Sequence, residues 1–398
     1  MQRPQLRVLF AAPAWWPAVA FGGPIPVTLE LSERLAGHGH DVRVVTTTLI
    51  DVERRPGRAR RETISGVRID FLPTPLRYRW MGITPTLPFV LERLPRPDIV
   101  HVLGFRDPVS TGAAAWARAR GVPYVFEPLG MFRPRLRKVA LKRALDSTLY
   151  GHVPGGAAAV VVSSEREAED VRAGGVAVER VHVRGNGFPD PETMPPARGA
   201  LRDELHIENG APLVLYVGRI ASGKGIEHLL AAVRELPDAH LVVVGPDDRH
   251  GALDMLRAAQ QAPATAGRVH ALGATEEPPL HLYAEADVFC LPSAGESFGM
   301  AAAEAAAAGT PVVLTDRCGI AGFFEPGEAL VVPYSAAAVT DALRRLLGDE
   351  ALRASLAAGG VGAARRMSWA HVTEHQEEIY RLAIASRQAS SNASTDGS

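Results

Sequence analysis

Short apolar runs alternate with helix-length amphipathic stretches along the whole chain, and this alternation restricts the fold more than any other feature. It is the pattern of a parallel sheet with crossover helices. In the first half the strand candidates are Leu6–Ala11, Val42–Thr46, Val67–Leu72, Ile99–Leu103, Tyr124–Glu127, Ala159–Ser163 and Val181–Arg184. A proline-rich patch, Phe188-Pro189-Asp190-Pro191 to Pro195-Pro196, then interrupts the series. It restarts with Leu213–Val217, Leu241–Gly245, Val269–Leu272, Val288–Leu291, Val312–Leu314 and Leu330–Val332. The expected class is α/β: two Rossmann-like, doubly wound domains facing across a cleft, with ligands at the carboxyl ends of their strands.

Length agrees with that division. A chain of 398 residues exceeds one ordinary core and fits two domains of roughly 150–200 residues. The expected boundaries are 1–190 for the first domain, 191–205 for a linker and 206–365 for the second domain. Residues 366–388 would form a C-terminal helix able to pack back on the first domain, and 389–398 a disordered polar tail. A formal net charge of −1 gives no electrostatic case for nucleic-acid binding. Cys290 and Cys318 lie in apolar or turn contexts and need no disulfide, so a reducing cytoplasm is expected. The chain enters a strand at Leu6 without a signal-peptide pattern, and no 18-residue apolar run spans a membrane.

The segment Leu291–Val313, LPSAGESFGMAAAEAAAAGTPVV, carries the strongest chemical signal. It reads as strand, loop, helix and strand, with Glu296 in the loop and Glu304 inside an Ala-rich helix that Gly309 and Pro311 stop. Small residues let that helix pack close to a sheet. Its N-terminus beside Ser297 and Gly299 offers free N–H groups and a positive dipole end, which suits phosphate. Carboxylates accept paired hydrogen bonds from vicinal hydroxyls, so the segment reads as a sugar and phosphate site. Taken alone, the two acids fit solvated helix-face residues, the usual fate of Glu.

A second cluster upstream shifts that balance. After the strand ending at Val217 come Gly218, Arg219, Gly223, Lys224 and Gly225, before a helix predicted over Ile226–Leu236. Arg219 can clamp phosphate oxygens in a planar fork, and Lys224 supplies a mobile point charge. Two cations in a Gly-containing loop match a diphosphate and offset charge on a departing one.

Two basic stretches stand apart. Arg54 to Arg61 is broken by Pro56 and Gly57 and reads as a loop. Arg133 to Arg143 reads as a solvated helix face, or as an amphipathic face for anionic lipid or a phosphorylated acceptor, leaving open a peripheral contact with the inner membrane. No Asp-x-Asp pair or His spacing suits a metal, and Asp247-Asp248 reads as a turn. The absence of G-x-G-x-x-G after the first strand disfavours a Rossmann dehydrogenase.

Val217-Gly218-Arg219…Lys224-Gly225, followed by Pro292-Ser293…Glu296-Ser297-Phe298-Gly299…Glu304-Ala305, resembles the retaining glycosyltransferases of glycosyltransferase family 4, with the GT-B fold. The resemblance extends to Gly22-Gly23, Gly39-His40-Asp41-Val42, Asp98-Ile99-Val100-His101 and Asp316-Arg317-Cys318-Gly319, covering nearly the whole chain. It implies that Arg219 and Lys224 hold the donor diphosphate, Glu304 the ribose, and Glu296 the donor sugar. The backbone at Phe298 and Gly299 would touch sugar and distal phosphate, with Gly22 and Gly23 approaching that phosphate from the first domain. Arg219, Lys224 and Glu296 are the expected catalytic residues, and Gly218 and Ser297 complete the donor site. The resemblance further implies a metal-independent reaction with no cofactor beyond the nucleotide-diphosphate sugar. The acceptor would be sugar-containing, lipid-linked or a small molecule.

One position departs from the family pattern. Where many members carry a second His facing the donor sugar, this chain has Leu103. Strand alternation puts His101 and Leu103 on one face. His101 is then structural, and Glu127 or Arg106 is a candidate for the missing polar contact. Leu103 predicts a donor lacking a hydroxyl there, or carrying a less polar substituent, over an ordinary hexose. Trp15, Trp16 and Phe21 flank the glycine loop and, with His101 and Leu103, form the expected acceptor side. A nucleotide-sugar epimerase or hydrolase, or a non-catalytic relative, is the alternative, and turnover of donor alone separates the first two from a transferase.

Overall fold

The computed structural model describes residues 4–51, 53–78, 80–132, 150–197, 199–248, 251–275 and 279–395. The chain divides into two units, Met1–Arg184 with Val372–Ser398, and Gly185–His371.

The described residues of the first unit include ten strands. In chain order they are β1 (Arg7–Ala12), β2 (Asp41–Thr47), β3 (Arg60–Ile64), β4 (Val67–Leu72), β5 (Leu76–Tyr78), β6 (Met81–Ile83), β7 (Ile99–Leu103), β8 (Tyr124–Glu127), β9 (Ala159–Val162) and β10 (Val181–Val183). Eight of them form one sheet in the order β10-β9-β8-β7-β1-β2-β4-β3, while β5 and β6 pair as a hairpin. Neighbours are parallel except β3, which runs antiparallel to β4. The chain winds outward from β1 in both directions, so the switch point lies at the carboxyl ends of β1 and β7.

Alternation sets what each face buries. Leu9, Ala11, Val100 and Val102 share a core cluster with Val109, Ala113 and Ala117 of the helix Pro108–Ala119. Out of phase with them, Phe10 and His101 are register partners and stack with centroids 4.9 Å apart. From Val372 the C-terminal helix Trp369–Thr395 belongs to this unit. His101 Nδ1 lies 2.7 Å from the Tyr380 hydroxyl, and its Nε2 lies 3.0 Å from Glu127. Arg184 donates to both Glu127 oxygens, at 2.8 and 3.1 Å, and to Gln376 at 2.6 Å. Burial pushes the Glu127 carboxyl up, yet Arg184 and His101 outweigh it and hold the group below its usual range. Burial also lowers the His101 pKa, keeping the imidazole neutral despite Glu127.

In the second unit the strands are β11 (Leu213–Val217), β12 (His240–Val244), β13 (Val269–Gly273), β14 (Val288–Leu291), β15 (Val312–Thr315) and β16 (Leu330–Val332). They form an all-parallel sheet in the order β13-β12-β11-β14-β15-β16. Its switch point lies between β11 and β14.

Several details differ from the reading of the sequence. The residues expected as a linker open the second unit: Leu201 begins the short helix Leu201–Glu204 and is buried in its core, while Arg198 lies outside the described residues. Arg60 and Arg61, expected in a loop, start β3. An edge strand needs no apolar run, and here Arg61 pairs with Asp70 at 2.7 Å and Arg60 lies over the Phe71 ring. The signal was the turn, Ser65-Gly66, whose left-handed φ values of 47° and 83° suit a two-residue hairpin. The C-terminal helix continues to Thr395, through residues expected to be disordered; 396–398 lie outside the described residues. So do 133–149, which hold the basic stretch Arg133 to Arg143. No described helix is long and apolar enough to cross a membrane.

Removing Arg184 would strand Glu127, 2% exposed, without its cation. Arg184→Met should therefore destabilise the first unit by about 3–5 kcal/mol. The double variant with Glu127→Gln should recover part of that. Denaturant midpoints check both, and an unchanged midpoint for Arg184→Met would show the pair to be dispensable.

Candidate functional site

The loops after β11 and β14 meet because glycine lets backbone touch backbone. Gly225 has a φ of 75°, and a Cβ there would lie 2.0 Å from the Pro292 carbonyl oxygen. One Cβ on Gly245 would come equally close, 2.0 Å, to the Gly218 carbonyl oxygen. Ala294 N–H donates to Gly223 C=O at 2.8 Å, joining the two loops. Ile220 N–H donates to Pro246 C=O at 2.9 Å and its own carbonyl accepts from Asp248 at 3.0 Å, tying in the turn after β12. The Glu296 backbone is held on both sides, its N–H by Arg317 C=O at 3.2 Å and its C=O by Gly319 N–H at 3.1 Å. Thr315 fixes the floor by donating to the Ser293 carbonyl at 2.6 Å.

On this frame Lys224 Nζ and Glu296 Oε2 form an ion pair across 72 residues of sequence. The pair is half-open to solvent, with side chains 15% and 25% exposed. Arg219 behaves differently. Its carbonyl accepts from the Tyr216 hydroxyl at 2.9 Å, while its exposed guanidinium has no ion-pair partner among the described residues. Its positive charge is therefore available at the mouth of the loop. Gly218, with a φ of 155°, lies just before it, where a Cβ would crowd the Tyr216 ring.

Gly299, with a φ of 121°, caps the helix Met300–Ala307, whose first N–H groups face the same loop end. Ser297 lies beside it, and Phe298 is buried against Phe188 and Phe323. Along the helix, Ala302, Ala303, Ala305 and Ala306 are fully buried, so it seats tightly on the sheet. Glu304 accepts a 2.5 Å hydrogen bond from the Tyr283 hydroxyl. Desolvation pushes the Glu304 carboxyl up to about 7, and the Tyr283 bond offsets this only in part. Tyr283 was not anticipated: it sits in the short helix Leu280–Tyr283, 21 residues from Glu304 in sequence, and no local pattern joins them.

The remaining predicted residues belong to the first unit. Gly22 requires its φ of 92°, whereas Gly23 has a helical φ of −53° and open space where a Cβ would go. No steric feature of the fold demands glycine at Gly23. Trp15 is buried on Phe10, and Trp16 is exposed. His101 is enclosed by Phe10, Glu127 and Tyr380, so it presents nothing to a ligand. Glu127 is committed to Arg184, and Arg106 donates to the Met131 and Phe132 carbonyls at 2.5 and 2.7 Å. Neither supplies the polar contact anticipated in place of a second His. Leu103 instead lines an apolar cavity with Phe21, Trp80 and Met131. Among the described residues no group of three His, Cys, Asp or Glu side chains could hold a metal ion.

A carboxyl whose folded pKa is raised holds its proton more tightly in the folded state. Glu304 should therefore erode stability as pH climbs from its unfolded value near 4.5 to about 7, and Glu304→Gln should remove that slope. Unfolding midpoints of both proteins between pH 5 and 8 check this: the variant should gain on the wild type as pH rises. Parallel curves would contradict a perturbed Glu304.

Comparison with known proteins matches two family models along the chain. Residues 197–360 match the family described as glycosyl transferases group 1, and residues 22–187 match a glycosyl transferase 4-like domain. A relative from Xylanimonas cellulosilytica, D-inositol 3-phosphate glycosyltransferase, is 31% identical over 92% of this chain and 93% of its own. Alpha-maltose-1-phosphate synthase of Mycolicibacterium smegmatis is 34% identical over 52% of this chain and 58% of its own. Among solved structures, sucrose-phosphate synthase from Thermosynechococcus elongatus superposes with a TM-score of 0.73 at 22% identity, covering 96% of this chain and 100% of that one. The catalytic domain of starch synthase IV from Arabidopsis thaliana, bound to ADP and acarbose, gives 0.74 at 17% identity, covering 96% and 100%. The chain therefore belongs to the group 1 glycosyltransferases, with a glycosyl transferase 4-like domain preceding the group 1 domain, and it has the GT-B fold.

Proposed function

We propose that this enzyme transfers a sugar, with retention of anomeric configuration, from a nucleotide-diphosphate sugar to an acceptor hydroxyl. The observation that carries the reading is the Lys224–Glu296 pair at the switch point of the second sheet, beside the uncommitted Arg219 guanidinium. Arg219 and Lys224 bind the donor diphosphate, and the N-terminus of Met300–Ala307 adds its dipole. When phosphate takes Lys224, Glu296 is released to accept from donor-sugar hydroxyls. Glu304 accepts from the ribose hydroxyls, with Tyr283 fixing the orientation of its carboxyl. Relatives named for glycosyl transfer and solved GT-B proteins holding ADP or UDP support a nucleotide-sugar donor.

The acceptor oxygen attacks C1 from the face that the diphosphate leaves. The C1–O bond to phosphate breaks, the new C1–O bond forms on the same side, and the acceptor proton passes to the departing phosphate. Negative charge grows on that phosphate, where Arg219 and Lys224 stabilise it without a metal ion. A glycan, a lipid-linked sugar or a secondary metabolite fits such a reaction.

Arg219→Ala and Lys224→Ala should each lower turnover roughly 10²-fold or more, with activity surviving a chelator. Steady-state rates check this, and loss of activity to the chelator would refute the two-cation account. Glu304→Ala should weaken nucleotide binding about a hundredfold, from two lost charge-assisted hydrogen bonds of roughly 1.5 kcal/mol each. Calorimetry within about twofold of wild type would remove Glu304 from the ribose. Incubation with donor alone should give little turnover, since rapid acceptor-free conversion marks a hydrolase or epimerase.

A further inference from the structure

The first unit contains a cavity of about 280 Å³ at the switch point of its sheet, beside the carboxyl ends of β1 and β7. Ala12, Phe21, Trp80, Leu103, Leu129 and Met131 contribute to its walls. Among the described residues no charged side chain lines it, and the one hydroxyl, on Thr28, is engaged with the Pro24 and Ile25 carbonyls at 2.9 and 3.1 Å. Besides the Trp80 indole N–H, these walls offer a sugar ring or a phosphate no uncommitted polar side chain, and the desolvation cost of its remaining polar groups disfavours it. Apolar walls of this kind enclosing about 150 Å³ accept benzene, so this cavity has room for a larger body. A lone deoxy position on a donor sugar would fill only a small part of it. Resting on the glycosyl-transfer reading above, we propose that the cavity is an acceptor subsite, and that the acceptor carries an aromatic or hydrocarbon group which Leu103, Phe21, Trp80 and Met131 enclose.

The position of Leu103 gives this its specificity. It follows His101 on the same strand face, but His101 is sealed by Tyr380 and Glu127, so Leu103 is the β7 side chain that the cavity receives. Phe21 adjoins Gly22 and Gly23, which sets the cavity at the edge of the glycine loop.

Calorimetry on the full chain, with UDP and with ADP present, tests the proposal with three probes: 2-naphthol, 1-octanol and an inositol monophosphate. At least one of the first two should bind wild type, and which one does separates an aromatic from an aliphatic group. Met131→Trp, at a partly exposed wall position, should weaken that binding at least tenfold while nucleotide affinity and unfolding midpoint stay unchanged. Leu103→Glu should do the same. Should it unfold the protein, Met131→Trp alone decides. Failure of both apolar probes to bind, equal binding by wild type and Met131→Trp, or inositol monophosphate binding that Met131→Trp weakens would each overturn the apolar subsite. Nucleotide binding in the same samples keeps the donor reading separate, because its loss would undo glycosyl transfer whatever the probes do.

Discussion

The close approach of two backbones in the second unit is the constraint on which the donor side depends. Gly225 and Gly245 carry no side chain because the carbonyls of Pro292 and Gly218 occupy the places where a Cβ would stand. The Gly225 contact draws the loop after β11 onto the loop after β14, the Gly245 contact ties in the turn after β12, and on this frame Lys224 and Glu296 come within reach of each other. A steric requirement on backbone thus becomes an electrostatic arrangement. The surrounding segments add rigidity: the strand-like pairing of Glu296 with the 317–319 segment fixes its backbone without using its side chain. The side chain remains free to change partner.

Two of the molecule's ion pairs are of opposite design. Glu127 and Arg184 are almost wholly buried and bidentate, with His101 and Gln376 completing the set, so no partner can be exchanged without stranding a charge. This is architecture, and it binds the C-terminal helix from Val372 into the first unit. Lys224 and Glu296 keep access to water, and desolvation does not lock them together. A pair of that kind can open for a ligand bearing both phosphate and hydroxyl groups. Glu304 lies between these extremes. Burial raises its pKa, and a neutral donor, Tyr283, holds it in place. A ligand supplying further hydroxyl donors would favour the carboxylate.

Legibility followed the range of the interaction. The central strands of both sheets are apolar runs, and their residues read directly as strands within a residue or two of their observed ends. By contrast β3 escaped notice, because an edge strand with four consecutive polar residues, Arg60 to Thr63, needs its neighbour, β4, to become a strand. Gly218, Gly225 and Gly299 were visible as loop glycines, and their φ values of 155°, 75° and 121° supply the conformational reason. The pairing of Tyr283 with Glu304 had no signal in spacing. Nor did the commitment of Arg106 to carbonyls, which removed it from the ligand side.

By itself, the sequence determined the alternation that makes two parallel sheets and the spacing that puts cations and carboxylates at strand ends. These are local matters, fixed by periodicity, by glycine's conformational freedom and by the helix signals around Gly299. Tertiary structure alone decided which of those charges meet. Lys224 reaches Glu296 across 72 residues, His101 is sealed by a helix 279 residues further on, and Leu103 opens into a cavity whose other walls come from distant segments. The physical reason is that a side chain's chemistry is intrinsic, whereas its partner, exposure and pKa are set by whatever the fold packs against it.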